Sequence, residues 1–226
     1  MTVNSEPVEV LYSKSTDVPT LYKAPQYNSG QTIKTTNIKK DGIYNNIEID
    51  GDYWMDKVCV NALKSVKESG GPFAGIVVQI DTTTKKVIRY WENHNQVTIG
   101  SDPTAHAEVM AIRSACSSLG TFNLGLIKKN ESKLPQPNEE SYCVIYSSTE
   151  PCPMCYSAIC WAKIKTLYFA ATRFDAAVDG VNFSDEEIYI ELGKPYSNRD
   201  MNVYQCAVEK SLDAFNLWKE IEKIEY

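Results

Sequence analysis

Histidine is close to absent from this sequence. His94 and His106 are the only two, against seven cysteines, so each carries weight as a candidate functional group. Other shortages exclude whole classes of protein. No run approaches the roughly 20 apolar residues that a membrane-spanning helix needs, and the sequence opens with no charged-then-apolar secretory leader. The first arginine is Arg89, which leaves an Arg-rich organelle transit peptide poorly supported. Basic charge is in deficit as well. A net charge of −6 argues against a nucleic-acid partner, because phosphate binding normally shows as a basic face. Lys39-Lys40, Lys85-Lys86 and Lys128-Lys129 are short pairs that read as solvated loops. The cysteines are odd in number and unevenly spread, which argues against a disulfide framework and for a reducing, cytoplasmic setting. Cys59, Cys116, Cys143 and Cys206 fall in apolar surroundings and are expected in the core.

Against that background, His106-Ala107-Glu108 and the later run Pro151-Cys152-Pro153-Met154-Cys155 stand out. His106, Cys152 and Cys155 make the three-ligand set of a catalytic zinc, which keeps its fourth tetrahedral position for water. Metal binding lowers the water pKa from about 15.7 toward about 7. Glu108, two residues from the histidine, is placed to carry protons, first from water and then to substrate and leaving group. Histidine-x-glutamate followed by Pro-Cys-x-x-Cys is the signature of zinc deaminases. Each half has a plainer reading. Cys152 and Cys155 alone fit a redox pair or half of a structural zinc site, and Cys160 is the spare thiol that could close such a site with a fourth ligand.

Asp102-Pro103-Thr104 reads as a cap and proline opening a helix from Ala105 to Leu119, and Pro151 with Pro153 opens a second through Ala162. Upstream, residues 1 to 50 are rich in Ser, Thr, Asn and Lys and read as an extended or partly disordered extension, with Val8 to Tyr12 a candidate strand and its tyrosines available for packing. Residues 51 to 226 read as one domain ending in a helix and tail. Its expected elements are a helix from Tyr53 to Glu68 and strands at Phe73 to Ile80, Val87 to Trp91, Tyr142 to Ser147, Thr166 to Ala171 and Asn202 to Val208. Residues 128 to 141 offer nothing to bury and read as a surface loop. Leu212, Phe215, Trp218 and Ile221 mark a final amphipathic helix. The alternation implies an α/β fold, a three-layer α/β/α sandwich around a five-stranded mixed sheet, largely parallel after an initial hairpin.

From Asp102 to Arg113, with Glu150 to Cys155 and Ala158 to Ala162, the chain resembles the guanine deaminase family of the cytidine deaminase-like superfamily. The resemblance runs from about Asp52 to Tyr226 and leaves the first 50 residues unexplained. It implies hydrolytic deamination of guanine at C2, giving xanthine and ammonia, with Zn2+ as cofactor and Glu108 as proton carrier. It also implies that Asn95 hydrogen-bonds the base, that Phe73 and Trp161 wall it, and that His106 offers it a ring face. For Phe73 and Trp161, ordinary core packing is the competing reading. Asp185 corresponds to an acid that assists proton transfer, while Ser184-Asp185-Glu186-Glu187 equally reads as a capping box, with Glu191 a weaker substitute. The terminal Tyr226 matches a tyrosine inserted into a purine site, and the resemblance implies a homodimer that exchanges its C-terminal segment. Guanosine or another amino-heterocycle remains open as substrate. A tRNA adenosine deaminase, or a non-enzymatic zinc or redox module, stands further off.

Overall fold

The structure, a computed structural model, describes residues 8–9, 40, 42–47, 49 and 51–223. It divides into two compact units, 1–184 and 185–226. The first contains β1 (Val8–Glu9), α1 (Tyr53–Lys67), β2 (Ala74–Asp81), β3 (Val87–His94), α2 (Val97–Gly100), α3 (Ala107–Leu119), β4 (Ile127–Lys128), β5 (Glu140–Thr149), α4 (Pro153–Trp161), β6 (Leu167–Ala171) and α5 (Arg173–Ala176). The second contains α6 (Glu186–Gly193) and α7 (Asp213–Glu220), with two short 3-10 turns between them.

Strand β2 explains the layering. All eight of its residues are buried, as in a strand covered on both faces. Ile76, Val78 and Ile80 pack with Trp54, Val58 and Ala62 of α1. Val77 points the other way, into a cluster with Ala111, Ile112, Ala115 and Leu119 of α3 and Ile159 of α4. The period-two alternation of a strand thus feeds two cores at once, and the α/β/α sandwich is the result. Asp52 starts α1 by accepting the Met55 amide at 2.9 Å, and its other carboxylate oxygen accepts the Tyr146 hydroxyl at 2.6 Å. Gly120, left-handed at φ 72°, ends α3 and returns its amide to the Cys116 carbonyl.

The sheet is mixed. It runs β1-β3-β2-β5-β4 with β6 beside β5, and only the β5–β6 pair is parallel. The expectation of a largely parallel sheet is corrected by strand order. β3 and β5, joined through α3, both run opposite to β2 and therefore in the same direction, but β2 lies between them and pairs antiparallel with each.

Other expectations shift too. Residues 128 to 141 are more than a surface loop: Gln136 and Ser141 are buried. Gln79 Nε2 donates to Ser141 Oγ at 2.8 Å, Ser141 Oγ donates to Gln136 Oε1 at 2.9 Å, and the Gln136 amide reaches the Ile127 carbonyl. Residues 202–208 form no strand. Cys143 is buried, but Cys59 and Cys206 are exposed, so apolar neighbours in sequence did not carry those two into the core. Of the candidate strand Val8 to Tyr12, Val8–Glu9 pairs with β3 and the remainder lies outside the described residues. No helix among the described residues is long and apolar enough to cross a membrane.

Candidate active site

Two helix starts meet on the α3–α4 side of the sheet. His106 is the N-cap of α3 and Cys152 the N-cap of α4, with Cys155 in the first turn of α4 behind Pro153. The cap-and-proline segment acts one turn earlier than expected. Asp102 accepts the Thr104 amide at 2.8 Å and its hydroxyl at 2.7 Å, folding a tight turn, so the helix proper begins at Ala107 rather than Ala105. Each helix presents unpaired amides and its positive end, an environment that favours anionic side chains.

His106 Nδ1 lies 3.6 Å from Cys152 Sγ and 3.5 Å from Cys155 Sγ. A tetrahedral zinc with ordinary Zn–N and Zn–S bonds separates such ligand atoms by about 3.6 Å. The three donors therefore fit that ion. They form the one such group among the described residues, and Cys160, exposed on α4, is outside it. A hydrogen bond from Cys155 and another from His106 hold the Cys152 thiol down to about 4, against the opposing effect of burial. Cys155 is pushed up by the same Cys152 pairing and by burial.

Glu108, in the first turn of α3, is buried, and burial raises its carboxyl above the ordinary range. Its two oxygens have different partners. Ser147 Oγ on β5 donates to Oε1 at 3.0 Å, while Oε2 lies 3.5 Å from Cys155 Sγ. One oxygen is thus held by the sheet and the other faces the ligand set. Gly75 of β2 makes this close seating possible. A Cβ there would lie 3.1 Å from the Ala107 carbonyl and from Glu108 Cα.

The remaining expected residues are placed as follows. Asn95, just past β3, is buried; its amide N–H donates to the Phe73 carbonyl at 3.0 Å and its Oδ1 accepts the Val97 amide at 3.1 Å. Phe73 meets Phe183 edge-on at 5.0 Å. Trp161, the last residue of α4, is 62% exposed, with the Lys163 ammonium 5.5 Å above its ring. Asp185 is the N-cap of α6, and its side chain makes no capping hydrogen bond. It opens the second unit. Glu191 pairs with Lys194 and accepts the Asp200 amide. Tyr226 lies outside the described residues. Sequence reasoning passed over Ser147 and Gly75. Neither has a motif, and only the register of β2 on β5, where Gly75 faces Ser147, reveals them.

Comparison with known proteins follows the same geometry. The profile described as the cytidine and deoxycytidylate deaminase zinc-binding region matches residues 49–171. A guanine deaminase of Bacillus subtilis (strain 168) is 39% identical over 158 residues, 70% of this chain and 86% of that protein. A tRNA-specific adenosine deaminase of Aquifex aeolicus (strain VF5) is 30% identical over 139 residues, 60% of this chain and 78% of that one. The crystal structure of guanine deaminase from Bacillus subtilis superposes with a TM-score of 0.64 at 35% identity, covering 79% of this chain and 99% of the other.

Proposed function

The chain belongs to the cytidine and deoxycytidylate deaminase family, and from that premise we infer that it hydrolyses guanine to xanthine and ammonia. The observation that carries this reading is Glu108 standing beside the His106, Cys152 and Cys155 group, with one carboxylate oxygen 3.5 Å from Cys155 Sγ. The 39% identity to a guanine deaminase supplies the substrate.

His106, Cys152 and Cys155 would hold zinc, which would supply Lewis-acid activation of a water molecule. Glu108 would carry one proton of that water to the ring nitrogen, and then the second, from the hydroxyl now on C2, to the departing amine, so that ammonia leaves as C2 becomes a carbonyl and one carboxylate serves both halves of the reaction. Ser147 keeps Oε1 occupied, which leaves Oε2 as the proton-carrying oxygen. The Asn95 side chain is already fixed through Oδ1, so its Nδ2 is the group that donates to the purine carbonyl. Phe73 and Trp161 form apolar walls and His106 offers a ring face. Asp185 and Tyr226 complete the assignment as proton-transfer assistant and terminal purine contact, as in the family the chain resembles.

Two further parts of the reading concern the whole protein. Homodimers exchange the C-terminal segment, a view supported by the exposed Leu212, Phe215, Trp218 and Ile221 around α7. A reducing cytoplasm suits a chain whose seven cysteines are all free. Residues 1–50 are an extension and 51–226 the catalytic domain.

Ammonia release measured with guanine, guanosine, adenine, cytosine and amino-pterins tests the substrate. Guanine turnover well above all others is expected. Preference for guanosine would move the reading to a nucleoside enzyme, and activity on none would leave only a zinc fold.

A further inference from the structure

Among the described residues before α1, burial is selective. Ile43, Ile47 and Ile49 are 49%, 55% and 72% exposed, whereas Tyr44, the most polar of these large side chains, is 6% exposed. A general collapse of the segment onto the surface would have buried the isoleucines first. Tyr44 is instead inserted between two aromatic rings, edge-on to Phe169 of β6 at 6.2 Å and to Phe174 of α5 at 6.4 Å. Its hydroxyl donates to Glu150 Oε2 at 2.6 Å across 106 residues of sequence. Burial first, and then the Glu150 carboxylate, push that hydroxyl above the usual tyrosine range, so it remains a donor.

Glu150 is where this contact acquires a consequence. It is the residue after β5 and stands two positions before Cys152. Its backbone N–H donates to the Ala171 carbonyl at 2.8 Å. Its carboxylate accepts the Arg173 amide at 3.0 Å and faces the Arg173 guanidinium at 3.6 Å. Glu150 therefore ties the turn that delivers Cys152 to the β6–α5 junction, and the junction is itself rigid, closed by reciprocal Thr172 and Asp175 hydrogen bonds. The phenol of Tyr44 is the last donor to this carboxylate and comes from a segment that precedes the matched deaminase region, residues 49–171.

We propose that Tyr44 is a positioning residue for the zinc-binding turn, locking the Glu150 carboxylate so that Cys152 is held at the N-cap of α4 with its sulfur aimed at the ligand group. The inference rests on the zinc-deaminase reading above. Side chains that orient metal ligands directly are worth about 10–100-fold in affinity. Tyr44 acts from further off, through a hydrogen bond to Glu150 and two residues of backbone, so about three- to tenfold is expected.

Tyr44→Phe keeps the ring and removes only the hydroxyl. Zinc affinity read by chelator competition, with no purine present, should weaken about three- to tenfold relative to wild type. With zinc saturating, kcat should fall by a similar factor while the guanine KM stays within twofold. Glu150→Gln should reproduce the loss, and Tyr44→Phe added to Glu150→Gln should weaken zinc by clearly less than the two single losses combined, because the Tyr44 hydroxyl, which also meets Thr172, acts on the turn through Glu150. Zinc affinity of Tyr44→Phe within twofold of wild type overturns the proposal, whatever the melting temperature does. A full additional loss in the double variant also overturns it, since Tyr44 would then act by another route. Absence of guanine turnover in wild type would sink the substrate reading alone, because the zinc measurement needs no purine.

Discussion

At the scale of single residues, the arrangement around Glu108 separates chemistry from metal binding. Glu108→Gln preserves shape and leaves His106, Cys152 and Cys155 in place, so zinc content should be retained while kcat falls about 10²–10⁴-fold, the usual worth of a positioned acid–base group. Zinc lost along with activity would make Glu108 a structural member of the site instead. Ser147 and Gly75 act on the same carboxylate from the sheet. Ser147→Ala removes the 3.0 Å hydrogen bond to Oε1 and frees the carboxylate to rotate, for which a drop in kcat of roughly tenfold with little change in zinc content is expected. Gly75→Ala forces a methyl group against the backbone of Ala107 and Glu108, and overpacking of that kind costs about 1–3 kcal/mol. Its signature is a lower melting temperature together with lower kcat. The ligands were legible in the sequence because scarcity and spacing mark them: one of two histidines, two cysteines three apart, each beside a proline-opened helix. Ser147 was not, because a serine on a strand has no distinguishing neighbour until β2 brings Gly75 opposite to it.

At the scale of elements, hydrophobic periodicity located every long strand of the sheet, but the expectation of a largely parallel sheet was wrong, since only β5 and β6 pair in parallel. Strand order depends on where the crossover through α3 lands, and nothing in the local pattern of β5 states that β2 will lie between it and β3. The 128 to 141 segment is polar in composition, yet polar residues can be buried when they pair with one another, as Gln79 Nε2, Ser141 Oγ and the Gln136 side chain do. The neighbouring Asp81 anchors the same segment. Burial by itself would raise its carboxyl, but donors from Thr84, Asn138 and Thr83 more than reverse this and set it below the usual carboxylate value. A depressed folded-state pKa contributes stability that is complete above the unfolded value of about 3.9 and is lost as pH falls through the folded one. Asp81→Asn should therefore be destabilised by about 1–3 kcal/mol near neutrality, the cost of disturbing a buried charged acceptor. The gap to wild type should narrow in thermal melts as pH falls below the ordinary carboxylate value of about 3.9 and through the lowered folded one. A constant gap from pH 7 to 2 would show that the carboxylate's charge plays no part.

At the scale of the whole molecule, residues 185–226 form a compact unit that leaves much of its apolar surface in solvent. Within α7 and its flanks, Leu212, Phe215, Leu217, Trp218 and Ile221 are 63%, 66%, 59%, 41% and 45% exposed. Exposed apolar side chains grouped along one element in this way are what an interaction surface requires. Most homo-oligomers are two-fold dimers, whose interface uses the same patch on each subunit. Light scattering should accordingly give about twice the chain mass of 25.4 kDa. Exchange makes a stronger demand than dimerisation, because Tyr226 of one chain would complete the purine site of its partner. Glu108→Gln and Tyr226→Ala are each expected to be weakly active alone. Unfolded together in equal amounts and refolded, they form mixed dimers in which one site combines an intact Glu108 with an intact Tyr226 from the other chain. Random pairing then restores roughly a quarter of wild-type activity when the tyrosine crosses between subunits. With the tyrosine acting in its own chain, every site in the mixture carries a defect, and no recovery above the two single variants would be seen.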